Sequence, residues 1–186
     1  MHLTRYSMYR QIRAALQRPM TGRILGISGI ENFREMIDAD ADVVDTQFPE
    51  VDAEALTFRD GEFDYVITDQ VLEHVRNPQR AISESFRVLK LGGTAIHTTC
   101  FLNPIHKYPE DYYRFSRTAL SSLCEPHAEI LHCASWGSRY AAALILLADR
   151  VRGIRIPDRP GFRHWLATHN EDSYPIHVWI VARRVR

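Results

Sequence analysis

His106, Asp111, Tyr112, Tyr113 and Arg114 fall within one proline- and tyrosine-rich stretch, P-I-H-K-Y-P-E-D-Y-Y-R-F from Pro104 to Phe115. Histidine titrates near neutral pH, so His106 is the natural group to take a proton from an acceptor hydroxyl. Asp111 can orient that imidazole or hold the acceptor, and Tyr112 adds a hydroxyl beside it. The same residues also suit a packed lid, in which Asp111 pairs with Arg114 and the rings cover an edge of the core. Glu73-His74 either cap a turn or join the chemistry. His97, inside an apolar run, reads as a core histidine, and Cys100 as a small buried thiol rather than a nucleophile.

Metal ligation is not expected. His127 and His132 stand five apart in a segment that reads as strand and face opposite sides. His164 and His169 are also five apart, not the four that a helical pair uses. The three cysteines show no C-x-x-C spacing, which argues against a zinc knuckle or disulfide framework and for a reducing, cytoplasmic setting.

The elements that must hold these residues follow from the apolar periodicity. Leu3, Tyr6, Tyr9, Ile12 and Leu16 form a helical stripe, while Arg5, Arg10, Arg13, Arg18 and Arg23 lie in the same acid-free segment. An Arg-rich start also suits a transit peptide, but the stripe favours a helix packed on the domain. Short strands are expected at 23–28, 42–45, 63–68, 94–99, 128–134 and 176–182. Helices are expected at 77–89, 116–124 and 138–152. This alternation predicts an α/β fold in which a doubly wound, mostly parallel sheet forms one domain over 23–186, preceded by a helix in 1–22. Residues 136–175 read as a helical insertion or lid before the last strand. Its Tyr140, Leu144, Leu147 and Val151 suit core packing or a homodimer face, and Trp136, Trp165 and Trp179 suit core or acceptor pocket.

Twenty-three basic residues balance twenty-three acidic ones over 186 residues, so no net field draws the chain to nucleic acid or anionic lipid. Thirteen acids against two arginines between Glu31 and Asp69 would repel phosphates and favour a cationic ligand. The longest apolar run is far short of a membrane span. A small-molecule partner is expected, not a nucleic acid or a membrane.

The stretch F-D-Y-V-I-T-D-Q-V-L-E-H-V-R-N-P followed by F-R-V-L-K-L-G-G, from Phe63 to Gly93, resembles the class I S-adenosylmethionine-dependent methyltransferases. The similarity is greatest to the small-molecule group called type 11. Just upstream, D-A-E-A-L-T-F from Asp52 to Phe58 is similar to that group's D-A-E-x-L-P-F segment. Leu91 and Thr57 stand where the group places prolines. The resemblance implies a Rossmann-like fold and methyl transfer from S-adenosylmethionine to a hydroxyl or amine of a sugar or specialised metabolite. It implies cofactor contacts at Gly26, Ser28 and Gly29 after the first strand, and at Asp45 after the second. Asp52 and Ala53 would meet adenine, with Asp69, Gln70 and His74 close to the cofactor after the third strand. His106, Asp111 and Tyr112 would then face the acceptor.

Two departures bear on the cofactor half. The group's glycine motif appears as G-I-S-G-I-E-N from Gly26 to Asn32, with Ser28, Ile30 and Asn32 at glycine positions. Only six residues separate Asp45 from Asp52, where the group places a helix and a strand, so this half is expected to be abbreviated and Asp45 is either a ribose acceptor or a loop acid. Two alternatives follow: a non-catalytic partner subunit, or the same scaffold doing different chemistry.

Overall fold

The computed structural model describes residues 1–186, with Asp149 described by its backbone alone. Six strands form one sheet: β1 (Arg23–Ile27), β2 (Asp42–Thr46), β3 (Phe63–Asp69), β4 (Leu89–Cys100), β5 (Ala128–Trp136) and β6 (His177–Arg184). Their order is β2-β1-β3-β4-β6-β5. The first four pair in parallel, while β6 runs antiparallel between β4 and β5. The helices are α1 (Leu3–Leu16), α2 (Pro78–Val88), α3 (Arg117–Cys124), α4 (Arg139–Leu147) and α5 (Phe162–Thr168).

Strand alternation divides the core between the two faces. Leu25, Val66, Ala95 and Ile180 point to the side covered by α2 and α3. Ile24, Ile67, Ile96 and Val181 point to the other, under α1, α4 and α5. The helix starts are written in the sequence. Asn77, Ser116 and Ser138 each accept a hydrogen bond from the amide three residues on, and Pro78 occupies the first turn of α2.

Two boundaries differ from expectation. The Leu91-Gly92-Gly93 segment does not end α2. The helix stops at Val88, and these residues form an irregular start to β4, where the register with β3 shifts between Phe63 and Tyr65. The expected 138–152 helix breaks after Leu147 into a 3-10 turn at Asp149–Gly153. Leu146 and Leu147 face outward there, so no burial favours continuing the helix. After β1 the chain makes only a 3-10 turn, Glu31–Met36, before β2. Among the described residues no strand lies beyond β2, which is therefore an edge.

Candidate active site

Ligands of open α/β sheets sit beyond the carboxyl ends of the strands, and three groups of side chains gather there. The first lies at β1 and β2. Gly26 pairs with Asp45 across the two strands, and the Ser28 amide donates to the Thr46 carbonyl at 2.9 Å. Ser28 is left-handed at φ 64°, as is Gln70 at φ 60° after β3. Such a conformation costs a non-glycine residue free energy and concentrates at ligand-binding turns. Asp45 and Asp52 are exposed carboxylates. Asp52 Oδ1 accepts from the Glu54 amide at 2.8 Å, while Ala53 is buried against the Leu25 and Ile27 face.

The second group surrounds Asp69, at the end of β3. One carboxylate oxygen accepts from Thr98 Oγ1 at 2.6 Å and Arg5 Nη1 at 3.3 Å. The other accepts from Tyr9 Oη at 2.6 Å and Asn32 Nδ2 at 2.9 Å. Gln70 donates its amide and its side chain to Thr98 Oγ1. Helix α1 is thereby fastened across the strand ends. Burial, followed by the Asp69 charge, pushes the Tyr9 hydroxyl well above its usual pKa, so it stays a donor.

The third group joins the turn after β3 to the loop after β4. Glu73 is fully buried; its Oε2 accepts from Thr99 Oγ1 at 2.8 Å and its carbonyl from the Tyr112 amide at 2.8 Å. His74 and His106 meet edge to face with ring centroids 4.8 Å apart. His74 Nδ1 lies 2.6 Å from the Glu110 carbonyl. Asp111 accepts from the His106 amide at 2.8 Å and lies 3.2 Å from His106 Nδ1. It also forms a two-pronged ion pair with Arg114, which holds its carboxyl far below the usual range. Tyr112 accepts from Arg76 Nε at 3.1 Å. The Cys100 thiol is pushed up to about 12 by burial and then by Glu73, which suits an inert thiol. His97 is buried with Nδ1 2.8 Å from Thr68, and Trp136 and Trp179 are buried, whereas Trp165 is partly exposed.

The sequence-derived residues thus fall into two separate ends. Gly26, Ser28, Gly29, Asp45, Asp52 and Ala53 line the β1–β2 side, while Asp69, Gln70, His74, His106, Asp111 and Tyr112 line the β3–β4 side. Arg5, Tyr9 and Asn32 carry no site signal in the sequence. Tyr9 and Arg5 share one helical face, but nothing in their spacing shows that the face docks on Asp69.

For an adenosyl cofactor, the exposed Asp45 and Asp52 and the left-handed turns suit hydroxyl and amino donors. The glycine cradle is altered: a Cβ on Gly26 would lie 2.0 Å from Ile30 Cγ2 and 3.1 Å from Asp45 Oδ1, so Ile30 occupies the space beside it. Gly29 is open, with only Gln47 Nε2 at 3.5 Å from an added Cβ. The nucleoside end fits. At Asp69, an amino group of the cofactor would have to share a carboxylate already held by α1.

Residues 10–97 match the family model described as a methyltransferase domain. A 57-residue stretch is 42% identical to 2-methyl-6-phytyl-1,4-hydroquinone methyltransferase 2, chloroplastic, of Oryza sativa subsp. japonica, covering 31% of this chain and 15% of that protein. Among solved structures, the chain is similar to the Burkholderia thailandensis 1,6-didemethyltoxoflavin-N1-methyltransferase with bound 1,6-didemethyltoxoflavin and S-adenosylhomocysteine. The TM-score is 0.62 at 11% identity, covering 95% of this chain and 76% of the other. A SAM dependent methyltransferase from Aquifex aeolicus gives 0.58 at 9% identity, covering 95% and 89%. By fold the chain is similar to S-adenosylmethionine-dependent methyltransferases, and the methyltransferase-domain model matches just under half of its length. The chain matches only a small part of the length of its curated relative. No helix among the described residues is long and apolar enough to cross a membrane.

Proposed function

We propose that this chain transfers a methyl group from S-adenosylmethionine to a hydroxyl or amine of a small molecule, a sugar or specialised metabolite. The observation that carries this reading is the convergence of His74, His106 and Asp111 where the turn after β3 meets the loop after β4, beyond the strand ends. When bound, the cofactor supplies an electrophilic methyl group on a sulfonium. Asp45 would accept the ribose hydroxyls, and Asp52 the adenine amino group beside the Ala53 backbone. Gly26, Ser28 and Gly29 would form the turn under the nucleoside, with Gln70 at the opposite wall.

On the acceptor side, Asp111 and the Pro104 carbonyl, 3.0 Å from His106 Nδ1, favour a proton on that nitrogen. Nε2 then keeps its lone pair for an acceptor proton. Tyr112 would position the acceptor, and Arg5 and Tyr9 close the site by holding α1 on Asp69. The exposed Tyr140, Leu146, Leu147 and Phe162 of α4 and α5 support a homodimer through that face.

A second reading, a partner subunit without catalysis, is favoured by Ile30 filling the space beside Gly26. Calorimetry with S-adenosylhomocysteine separates the two, since only the first requires binding. A turnover measurement on His106→Ala follows. Loss of a positioned base costs about 10²–10⁴-fold in rate with cofactor affinity retained. A loss below tenfold removes His106 from proton transfer.

A further inference from the structure

We propose that Glu73, His74 and His106 form a binding site for a divalent transition cation of the zinc class. One ligand atom from each, a carboxylate oxygen and two imidazole nitrogens, lies within 4.8 Å of the other two. Two neutral nitrogens with one carboxylate form a donor set that suits such a cation, with a fourth position left for an oxygen ligand.

The arrangement carries an independent mark of a missing partner. Glu73 is 0% exposed; its Oε2 is satisfied by Thr99, and Oε1 has no nitrogen or oxygen donor, the Cys100 thiol, a weak donor, being the other group that bonds to this carboxylate. An ionised oxygen buried without a partner is costly, and a cation would satisfy it. Arg114 lies close enough to feel the Glu73 charge, but its guanidinium is already paired with Asp111. The Arg114 guanidinium is therefore not the partner of Oε1.

The histidines are held as ligands are held. His74 Nδ1 faces the Glu110 carbonyl at 2.6 Å, and His106 Nδ1 faces the Pro104 carbonyl at 3.0 Å and Asp111 Oδ2 at 3.2 Å. Oxygen acceptors at both Nδ1 atoms put the protons there and leave both Nε2 lone pairs for a cation; a carboxylate behind a ligating imidazole also raises its basicity. Asn103 Nδ2 also lies 2.9 Å from His106 Nδ1 and 3.4 Å from Nε2, so this amide must turn aside for Nδ1 to carry the proton and Nε2 the cation. With metal–ligand bonds of about 2.0–2.1 Å, tetrahedral ligand atoms stand about 3.4 Å apart. Closing from 4.8 Å needs rotation of two partly exposed rings on the turn and the loop. The Nε2 lone pair of His106 cannot hold a cation and accept a proton together, so with cation bound, the ion would hold an acceptor oxygen at this place.

The test uses the full chain, stripped with chelator and titrated with Zn²⁺ alone by calorimetry, then with Co²⁺ followed by its visible absorption. The expected result is one cation per chain at this site, with Co²⁺ bands of a four-coordinate nitrogen–oxygen site. His74→Ala and His106→Ala, at partly exposed positions and checked for fold by circular dichroism, should each weaken Zn²⁺ binding by more than tenfold. Outer partners of ligating histidines alone are worth about 10–100-fold. Glu73→Gln should do the same; if it fails to fold, the histidine variants decide. A His164→Ala/His169→Ala variant, removing the pair near Trp165, should bind as before. Absence of binding by the stripped chain overturns the proposal. So does binding retained in both single histidine variants, or lost in the His164/His169 control. Cofactor is absent throughout, so failure of the methyl-transfer reading leaves this result standing, and the converse.

Discussion

Tyr9→Phe tests how α1 is fastened to the site. The hydroxyl lies 2.6 Å from Asp69 Oδ2, Tyr9 is 2% exposed, and the Asp69 side chain is 9% exposed. Hydrogen bonds to charged groups contribute about 1.5–3 kcal/mol. Thr98, Asn32 and Arg5 still reach Asp69 after the change, so the carboxylate is not orphaned and the loss should be about 2 kcal/mol. The variant keeps the ring and its edge contact with Phe33 at 5.3 Å, which isolates the hydroxyl. In a domain of this size each kcal/mol moves Tm by about 2–4 °C, so calorimetry should show a fall of about 4–8 °C. Combining Tyr9→Phe with Asp69→Asn should then cost less than the sum of the two. Single changes that add within about 0.5 kcal/mol would show that the hydroxyl and the carboxylate do not interact, and the α1 clamp would be refuted.

Asp52→Ala should weaken S-adenosylhomocysteine binding by about 1–3 kcal/mol in calorimetry if Asp52 accepts from adenine. Loss of the Glu54 amide's partner alone would lower stability and leave affinity unchanged. His97 gives a pH signature: burial lowers its pKa to about 3, below the value of about 6.5 in an unfolded chain. The unfolded state then binds the extra proton between those values, so His97 makes stability fall as pH drops from about 6.5 toward 3, by up to about 1.4 kcal/mol per pH unit. His97→Gln should flatten urea-unfolding stability against pH by that slope between pH 6 and 4. An unchanged slope would mean that His97 is already protonated or exposed in the fold.

The fold was legible because its signals are local. Alternating apolar residues in F-D-Y-V-I-T and I-H-V-W-I-V-A mark strands buried on both faces, and the Asn77, Ser116 and Ser138 caps mark helix starts within a residue or two. The gap between Asp45 and Asp52 implied a shortened half, since six residues cannot hold both a helix and a strand. Candidate site residues were legible as types, but their grouping was not. Which side chain reaches Asp69 depends on how α1 lies over the sheet, and that is decided by packing of Met8 and Ile12 far from the chemistry. The sequence leaves Glu73 between a turn cap and the chemistry for a similar reason. In sequence it is one acid in a turn, and only the loop from Cys100 to Phe115 folding back over it makes it buried. Histidine pairs are legible from spacing only along a single element, whereas His74 and His106 are brought together by the turn after β3 and the loop after β4.

The missing strand beyond β2 leaves a row of backbone amides and carbonyls without a neighbour along Asp42–Thr46. A free edge of this kind is a template for another chain, and the composition of β2 answers that hazard. Asp42 and Asp45 place negative charge at both ends of a strand only five residues long, so two such edges brought together would repel. The opposite edge, β5, uses a different device: its register slips between Ile130 and His132, which breaks the even ladder another strand would need. Trimming the sheet by one strand has therefore made Asp45 answerable for solubility as well as for any ligand. Replacing it to probe nucleoside binding would also remove a guard against self-association, and a loss of activity at high protein concentration would have two origins to separate.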